Sequence, residues 1–277
     1  MDVAIVSMRP KIADKKANIE KMKKFIQREK ADLYIFGEIT LTGYRCKDEL
    51  RELAEPIDGP AIREMIKIAE EKNSYIIFGM PLEDENIKGL IYNSAVLLHP
   101  NGKIDVYKKW FLPNFGPFEE KIFFDEGQKL EVFKTKFGKI GILICYDIYF
   151  PEITKAYALQ GADIMVCLSA SPSVTRIYFE KIIPTRAIEN TVYFIYTNIV
   201  GPQEDLIFWG GSQIYDPLGT LITKAPYFEE SIIKTSLDLD ILRIARGQRP
   251  VLRDIRPEIY RDLYLLSRGD NKKTNII

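Results

Sequence analysis

The sequence predicts a single-domain α/β fold with helices layered on mixed sheet. Three observations carry this. Short β-rich runs alternate with helical stretches along the whole 277-residue chain, the pattern of layered α/β architectures. Several neighbouring β runs are joined by tight turns, so those strands are antiparallel and the sheet is mixed rather than purely parallel. No low-complexity linker or internal repeat divides the chain, and α/β folds of this length commonly form one domain.

Residues 2–8 (DVAIVSM) read as a strand. Residues 15–30 read as an amphipathic helix, with Ile19, Met22, Phe25 and Ile26 on one face. DLYIFGE (32–38) is the next strand, Gly59-Pro60 punctuates, and 61–72 repeats the helical pattern. Strands follow at 75–81, 93–99 and 103–109, the last two joined as a hairpin by HPNGK (99–103). Residues 130–135 and 139–145 pair across Lys136-Phe137-Gly138. A helix at 151–160 and a strand at 162–169 come next. Residues 176–191 are helical but contain Pro184, where the helix either kinks or begins. Strands at 192–200, 211–217 and 231–237 complete the set. The segment 238–277 is charged and Arg-rich, and is expected to pack as a tail on the domain or on a partner subunit.

The chain is 46% hydrophobic and 28% charged, with a formal net charge of +0. A neutral chain has no global field to recruit nucleic acid or an acidic membrane surface. The short basic run KMKKF (21–25) reads as a solvated helix face. The longest apolar runs, such as VYFIYTNIV (192–200), are too short to span a bilayer. Cys46, Cys145 and Cys167 are odd in number and form no CxxC pair. That argues against a disulfide framework or a zinc site and for a reducing cytoplasm. The N-terminus lacks a signal-peptide pattern.

Three strand ends carry reactive groups: Glu38 ends 32–38, Lys108 and Lys109 end 103–109, and Cys145 ends the buried run IGILIC. Reactive groups in α/β sheets gather outside the carboxyl ends of strands. A cysteine ending a core strand is ordinarily packing. A catalytic one needs a base, and the sole histidine, His99, is expected at the surface in the HPNGK turn. A buried carboxylate of raised pKa can serve instead, and a lysine ammonium can hold an oxyanion. Cys, Glu and Lys therefore suffice for acyl transfer with no metal or cofactor.

FGEITLTGY (36–44), YKKWFLPNFGPFEE (107–120) and GILICYDIYFPE (141–152) together resemble the nitrilase, or carbon–nitrogen hydrolase, superfamily. The likeness continues through RAIEN (186–190), GGSQIYDPLGT (210–220) and RPEIY (256–260). The resemblance implies a four-layer α-β-β-α sandwich and a homodimer or larger homo-oligomer. Its Y-x-K pattern selects Lys109 over Lys108, and its second glutamate falls on Glu120 rather than Glu119. It implies Glu38 as the base, Cys145 as the nucleophile, Lys109 with the Tyr146 N–H as the oxyanion site, and Glu120 as orienting Lys109 or water. It matches neither Cys167 nor Cys46, which are left as packing and structural residues.

Within the superfamily, LPNFGPFEEKIFF (112–124), LSASPS (168–173) and NIVGPQEDLIFWGGS (198–212) are similar to glutamine-amidase domains of NAD synthetases. That likeness implies Ser171 and Arg176 at the polar end of a substrate. Phe115 departs from the tyrosine those domains tend to carry, and no ATP-binding domain follows, so a free-standing amidase is expected. CYDIYFPE is also similar to ω-amidase-like hydrolases of small amides. Tyr44, Phe115, Tyr146, Tyr149 and Trp209 are candidates either for a compact apolar pocket or for packing. A small amide is the expected substrate. The alternatives are a nitrile, an N-carbamoyl amine, or glutamine in a subunit feeding ammonia to a separate synthetase.

Overall fold

The computed structural model describes residues 1–269. Its first half runs β1 (Asp2–Ser7), α1 (Lys15–Arg28), β2 (Leu33–Ile35), α2 (Leu50–Leu53), α3 (Pro60–Lys72), β3 (Tyr75–Glu83), β4 (Ile91–Leu98), β5 (Ile104–Lys108) and α4 (Glu120–Phe123). The second half runs β6 (Val132–Thr135), β7 (Gly138–Ile144), α5 (Pro151–Leu159), β8 (Ile164–Ser169), α6 (Arg176–Asn190), β9 (Tyr193–Asn198), β10 (Val200–Gln203), β11 (Leu206–Trp209), β12 (Gln213–Tyr215), β13 (Leu221–Lys224) and β14 (Ser231–Ser236). Helices α7 (Asp240–Gln248) and α8 (Pro257–Ser267) follow.

The strands form two mixed six-stranded sheets, β14-β1-β2-β3-β4-β5 and β13-β12-β9-β8-β7-β6, with β10 and β11 as a separate hairpin. In the first sheet β2 is parallel to β1 and β3, and the β3-β4-β5 meander is antiparallel. Side chains alternate between two cores, as strand geometry requires. Val3, Ile5, Ile35, Ile77 and Leu97 enter the core shared with the second sheet. Ala4, Val6, Tyr34, Ile76 and Val96 pack instead with α1 and α3. The second sheet is covered by α5 and α6 through Tyr157, Ala158, Phe179, Ile183 and Ala187. The result is an α-β-β-α sandwich of four layers.

Local chemistry explains the element ends. Asp14 caps α1 by accepting the Ala17 N–H at 3.0 Å. Pro60 opens α3, where its missing N–H costs nothing. Asn73 closes α3 in a left-handed conformation, φ 51°.

Several expectations need correction. Helix α6 does not begin at Pro184: it runs from Arg176 to Asn190 with the proline inside, its face carrying Phe179, Ile183 and Ala187 anchored in the core. Strand β2 stops at Ile35, so Glu38 lies in the turn beyond it, and Lys109 and Cys145 likewise sit one residue past β5 and β7. The run 192–200 is split, and the β10–β11 hairpin and β13 were not legible from periodicity. His99 is buried rather than surface turn filler. Its Nε2 pairs with Asp105 at 2.7 Å and its ring meets Tyr75 edge-on. The start of the tail packs on its own domain: Leu242 joins the core, and Arg246 donates to the Ala162 carbonyl at 2.8 Å. Residues 270–277 of the expected tail lie outside the described residues. Among the described residues no helix is long and apolar enough to cross a membrane.

Candidate active site

The turn after β2 is pressed against β3. A Cβ at Gly79 would lie 2.3 Å from the Ile39 nitrogen and 2.7 Å from the Glu38 Cα, so this strand position accepts only glycine. Gly79 donates to the Gly37 carbonyl and accepts from Leu41, clamping the turn at both ends. Ile39 is held at φ 46°, a strained conformation for a β-branched residue.

Glu38 is wholly buried and its carboxylate accepts three hydrogen bonds. Oε1 accepts from Lys109 Nζ at 2.7 Å and from Asn93 Nδ2 at 2.7 Å. Oε2 accepts from the Ala170 N–H at 2.6 Å, just past β8. Lys109, also wholly buried, donates in addition to Glu120 Oε1 at 2.8 Å. Tyr44 donates its hydroxyl to the same Glu120 oxygen at 2.7 Å. A buried ammonium is thus held between two carboxylates. Lys108 points the other way, pairing with Asp84 at 3.2 Å over the Tyr92 ring. Glu119 is exposed while Glu120 is buried. The geometry therefore puts Lys109 and Glu120, not their neighbours, in the cluster.

Cys145 leaves β7 at φ 46° and opens a 3-10 turn, Cys145–Tyr149. The N–H groups at the start of such a turn, that of Tyr146 among them, have no partner within it. Two residues on, Asp147 ties this turn to the lysine segment. Its Oδ2 accepts from the Tyr107 hydroxyl at 2.7 Å and from the Ile144 N–H at 3.0 Å. Its Oδ1 accepts from the Phe111 N–H at 2.9 Å.

Burial dominates the electrostatics. It pushes the Cys145 thiol well above its usual range; Glu38 adds to this and Lys109 opposes it. At rest Cys145 is a thiol, and a thiol needs a proton acceptor before it can act as a nucleophile. Burial alone would lower the Lys109 pKa, but Glu120 and Glu38 outweigh it and keep the ammonium charged. Burial raises Glu120 to about 7 against the pull of Lys109, with Glu38 adding repulsion. Burial raises Asp147 to about 6, again opposed by Lys109.

The structure distributes the other predicted residues unevenly. Tyr44 joins the cluster through Glu120. Tyr146 is half-buried, and the exposed Phe115 meets its ring edge-on at 5.3 Å. Tyr149 packs edge-on against Phe179. Ser171 is buried, hydrogen-bonded to the Thr175 hydroxyl at 2.6 Å and to Trp209 Nε1 at 3.1 Å. Trp209 is core, stacked on Tyr196 at 5.4 Å. Arg176 begins α6 with its guanidinium over the Tyr227 ring at 4.8 Å.

Sequence reasoning missed Asn93, Asp147 and the Ala170 N–H. A polar residue inside the apolar run NSAVLLH and a carboxylate two residues past the cysteine were the available signals. The backbone N–H left no signal at all.

A family model described as carbon-nitrogen hydrolase matches residues 2–246. A nitrilase of Pyrococcus abyssi is 32% identical over 93% of this chain and 98% of its own. A glutamine-dependent NAD(+) synthetase of Aquifex aeolicus is 29% identical over 92% of this chain, which spans 45% of that protein. A solved carbon-nitrogen hydrolase from Helicobacter pylori superposes with a TM-score of 0.87 at 27% identity, covering 95% of this chain and 98% of the other. The protein with this buried Glu38–Lys109–Glu120 cluster is a member of the carbon-nitrogen hydrolase family.

Proposed function

We propose that this hydrolase is a cysteine-dependent amidase that releases ammonia from a small amide through a thioester. The observation that carries the reading is the buried ammonium held between two carboxylates, all three acting electrostatically on Cys145, the residue after β7. In the proposed reaction Glu38 accepts the thiol proton as Cys145 Sγ bonds to the substrate carbonyl carbon. The Lys109 ammonium and the Tyr146 N–H stabilise the oxyanion, each such donor being worth about 10²–10³ in rate. The C–N bond breaks as Glu38 returns its proton to departing ammonia. Water then gives a proton to Glu38 as its hydroxyl bonds to the thioester carbon; the C–S bond breaks and Glu38 returns the proton to sulfur, releasing the acid and restoring the thiol. Glu120 holds Lys109 in place. Tyr44, Phe115, Tyr146, Ser171 and Arg176 belong to the substrate side of this proposal.

A nitrile is the second reading, supported by the nitrilase relative, because the same nucleophile attacks a nitrile carbon. N-carbamoyl amines, and glutamine in a subunit serving a separate synthetase, complete the substrate panel. The proposal includes a cytoplasmic setting, no nucleic-acid or membrane partner, and self-association. Exposed Ile177 and Tyr178 of α6, and Leu263 and Tyr264 of α8, are apolar surface of the kind that self-association covers.

The test is ammonia release from glutamine, short aliphatic amides, ω-amides, N-carbamoyl amines and nitriles, with wild type beside Cys145→Ala. Release from one class, lost in the variant, is expected. Turnover retained by Cys145→Ala overturns the covalent route.

A further inference from the structure

Asn93 sits on β4 between the two glutamates and is wholly buried. Its Nδ2 donates to Glu38 Oε1 at 2.7 Å and to Glu120 Oε2 at 3.3 Å. Its main-chain carbonyl accepts the Lys109 N–H at 2.9 Å. One residue therefore touches all three members of the charged cluster. Its Oδ1 has no hydrogen-bond partner among the described residues. The reverse placement of the amide would set oxygen against two carboxylates, so the donor end faces the cluster.

We infer that Asn93 is a positioning residue that holds Glu38 and Glu120 at a fixed separation and keeps Glu38 a competent base. The inference rests on the proposed role of Glu38 and deepens it. The argument is electrostatic. Two buried carboxylates sharing one ammonium repel each other, and the neutral amide supplies both with donors without adding charge. Hydrogen bonds to the ionised form of a carboxylate favour that form. Without them Glu120, already raised to about 7 by burial, holds its proton to higher pH, and Glu38 loses the donor that aims its carboxylate at the thiol. The charged and titratable groups facing this pair are Lys109 beyond β5, Tyr44 beyond β2, Cys145 beyond β7 and Cys167 in β8, with Asp147 acting on Lys109 from the turn after β7. They are the same in wild type and variant, so a changed pH profile reports the amide.

The experiment measures kcat and KM for ammonia release against pH in wild type, Asn93→Ala and Asn93→Ser, with Cys145→Ala as the blank. In parallel, the pH-dependent rate of Cys145 alkylation by iodoacetamide is followed by mass spectrometry, which needs no knowledge of the substrate. Expected for Asn93→Ala is a kcat loss of about tenfold to a hundredfold near pH 7 with KM within about threefold, the scale of a lost hydrogen bond to a charged group. The acid limb of both profiles moves to higher pH. Asn93→Ser, which retains one donor, falls between and also decides the matter if the alanine variant does not fold. A residue that only packed would lower stability and leave the limb in place, and that result overturns the inference. Ammonia release that persists in Cys145→Ala counts instead against the proposed function, whatever Asn93 does.

Discussion

Cys145, one residue past β7, and Cys167, inside the neighbouring parallel strand β8, are in opposite circumstances. Cys167 is inside β8, paired in register with Leu143 of β7, two residues before Cys145. It is fully buried, its sulfur lies 3.8 Å from the Ser169 hydroxyl, and burial pushes its thiol up to about 12. Burial raises Cys145 as well. Resting acidity therefore does not separate the two thiols. What separates them is backbone position and neighbours. Cys145 stands beyond the last paired residue, turned out at φ 46°, with the Glu38–Lys109–Glu120 cluster as its electrostatic surroundings. Cys167 is locked in the middle of a ladder, paired on both sides. A thiol becomes a nucleophile through a proton acceptor available at the moment of attack.

The widest separation is expected from the alanine pair. Cys145→Ala should remove turnover by about 10³-fold or more while leaving the melting temperature within a few degrees. Cys167→Ala should keep turnover within about threefold and lower stability by about 1 kcal/mol, the scale of a small core deletion. Comparable loss of ammonia release in both variants breaks the comparison.

Glu120→Gln sharpens it by removing one wall of the cluster. Glutamine mimics the protonated acid, so the deficit should be small below the wild-type value of about 7. It should grow to about 10²-fold above that pH, where wild-type Glu120 is charged and holds the Lys109 ammonium in place. A rate profile with a constant gap across pH 6–8 would remove Glu120 from the reaction.

The smallest effect concerns the Asp147 clamp. Its folded pKa of about 6 lies above the ordinary 3.8. The native state therefore binds the extra proton between these values, and wild-type stability falls as pH rises through that window. Asp147→Asn lacks this slope and should gain on wild type by roughly 2 kcal/mol between pH 4 and pH 6 in urea unfolding. Its turnover should still fall about tenfold, because an amide cannot accept from Tyr107, Ile144 and Phe111 together. A flat stability difference would place the Asp147 titration elsewhere.

Much of this was legible in the chain. The apolar runs of β1 and β3 read as strands, and the apolar face of α1 as an amphipathic helix. The three motifs carrying Glu38, Lys109 and Cys145 pointed to one site. The choice of Lys109 over Lys108 was already available from the pattern around it, and strand alternation explains why adjacent lysines face opposite ways. Less was available where function depends on meeting across the sheets. Trp209 could not be assigned, since an indole suits a pocket and a core equally until its partners, Tyr196 and Ser171, are known. His99 was misplaced because its turn looked exposed, while Tyr75 and Asp105 cover it.

The sequence by itself determined most of the elements, the alternation of helix and strand, and the residue types able to perform the chemistry. Those follow from local periodicity and from functional groups carried on single residues. Tertiary structure decided which groups touch. Asn93 and Asp147 are ordinary polar residues until β4 and the turn after β7 bring them against partners dozens of positions away. The Ala170 N–H is a backbone group that every non-proline residue carries. Charge–charge and hydrogen-bond energies depend on distance and burial, and neither is defined until the two sheets close on each other.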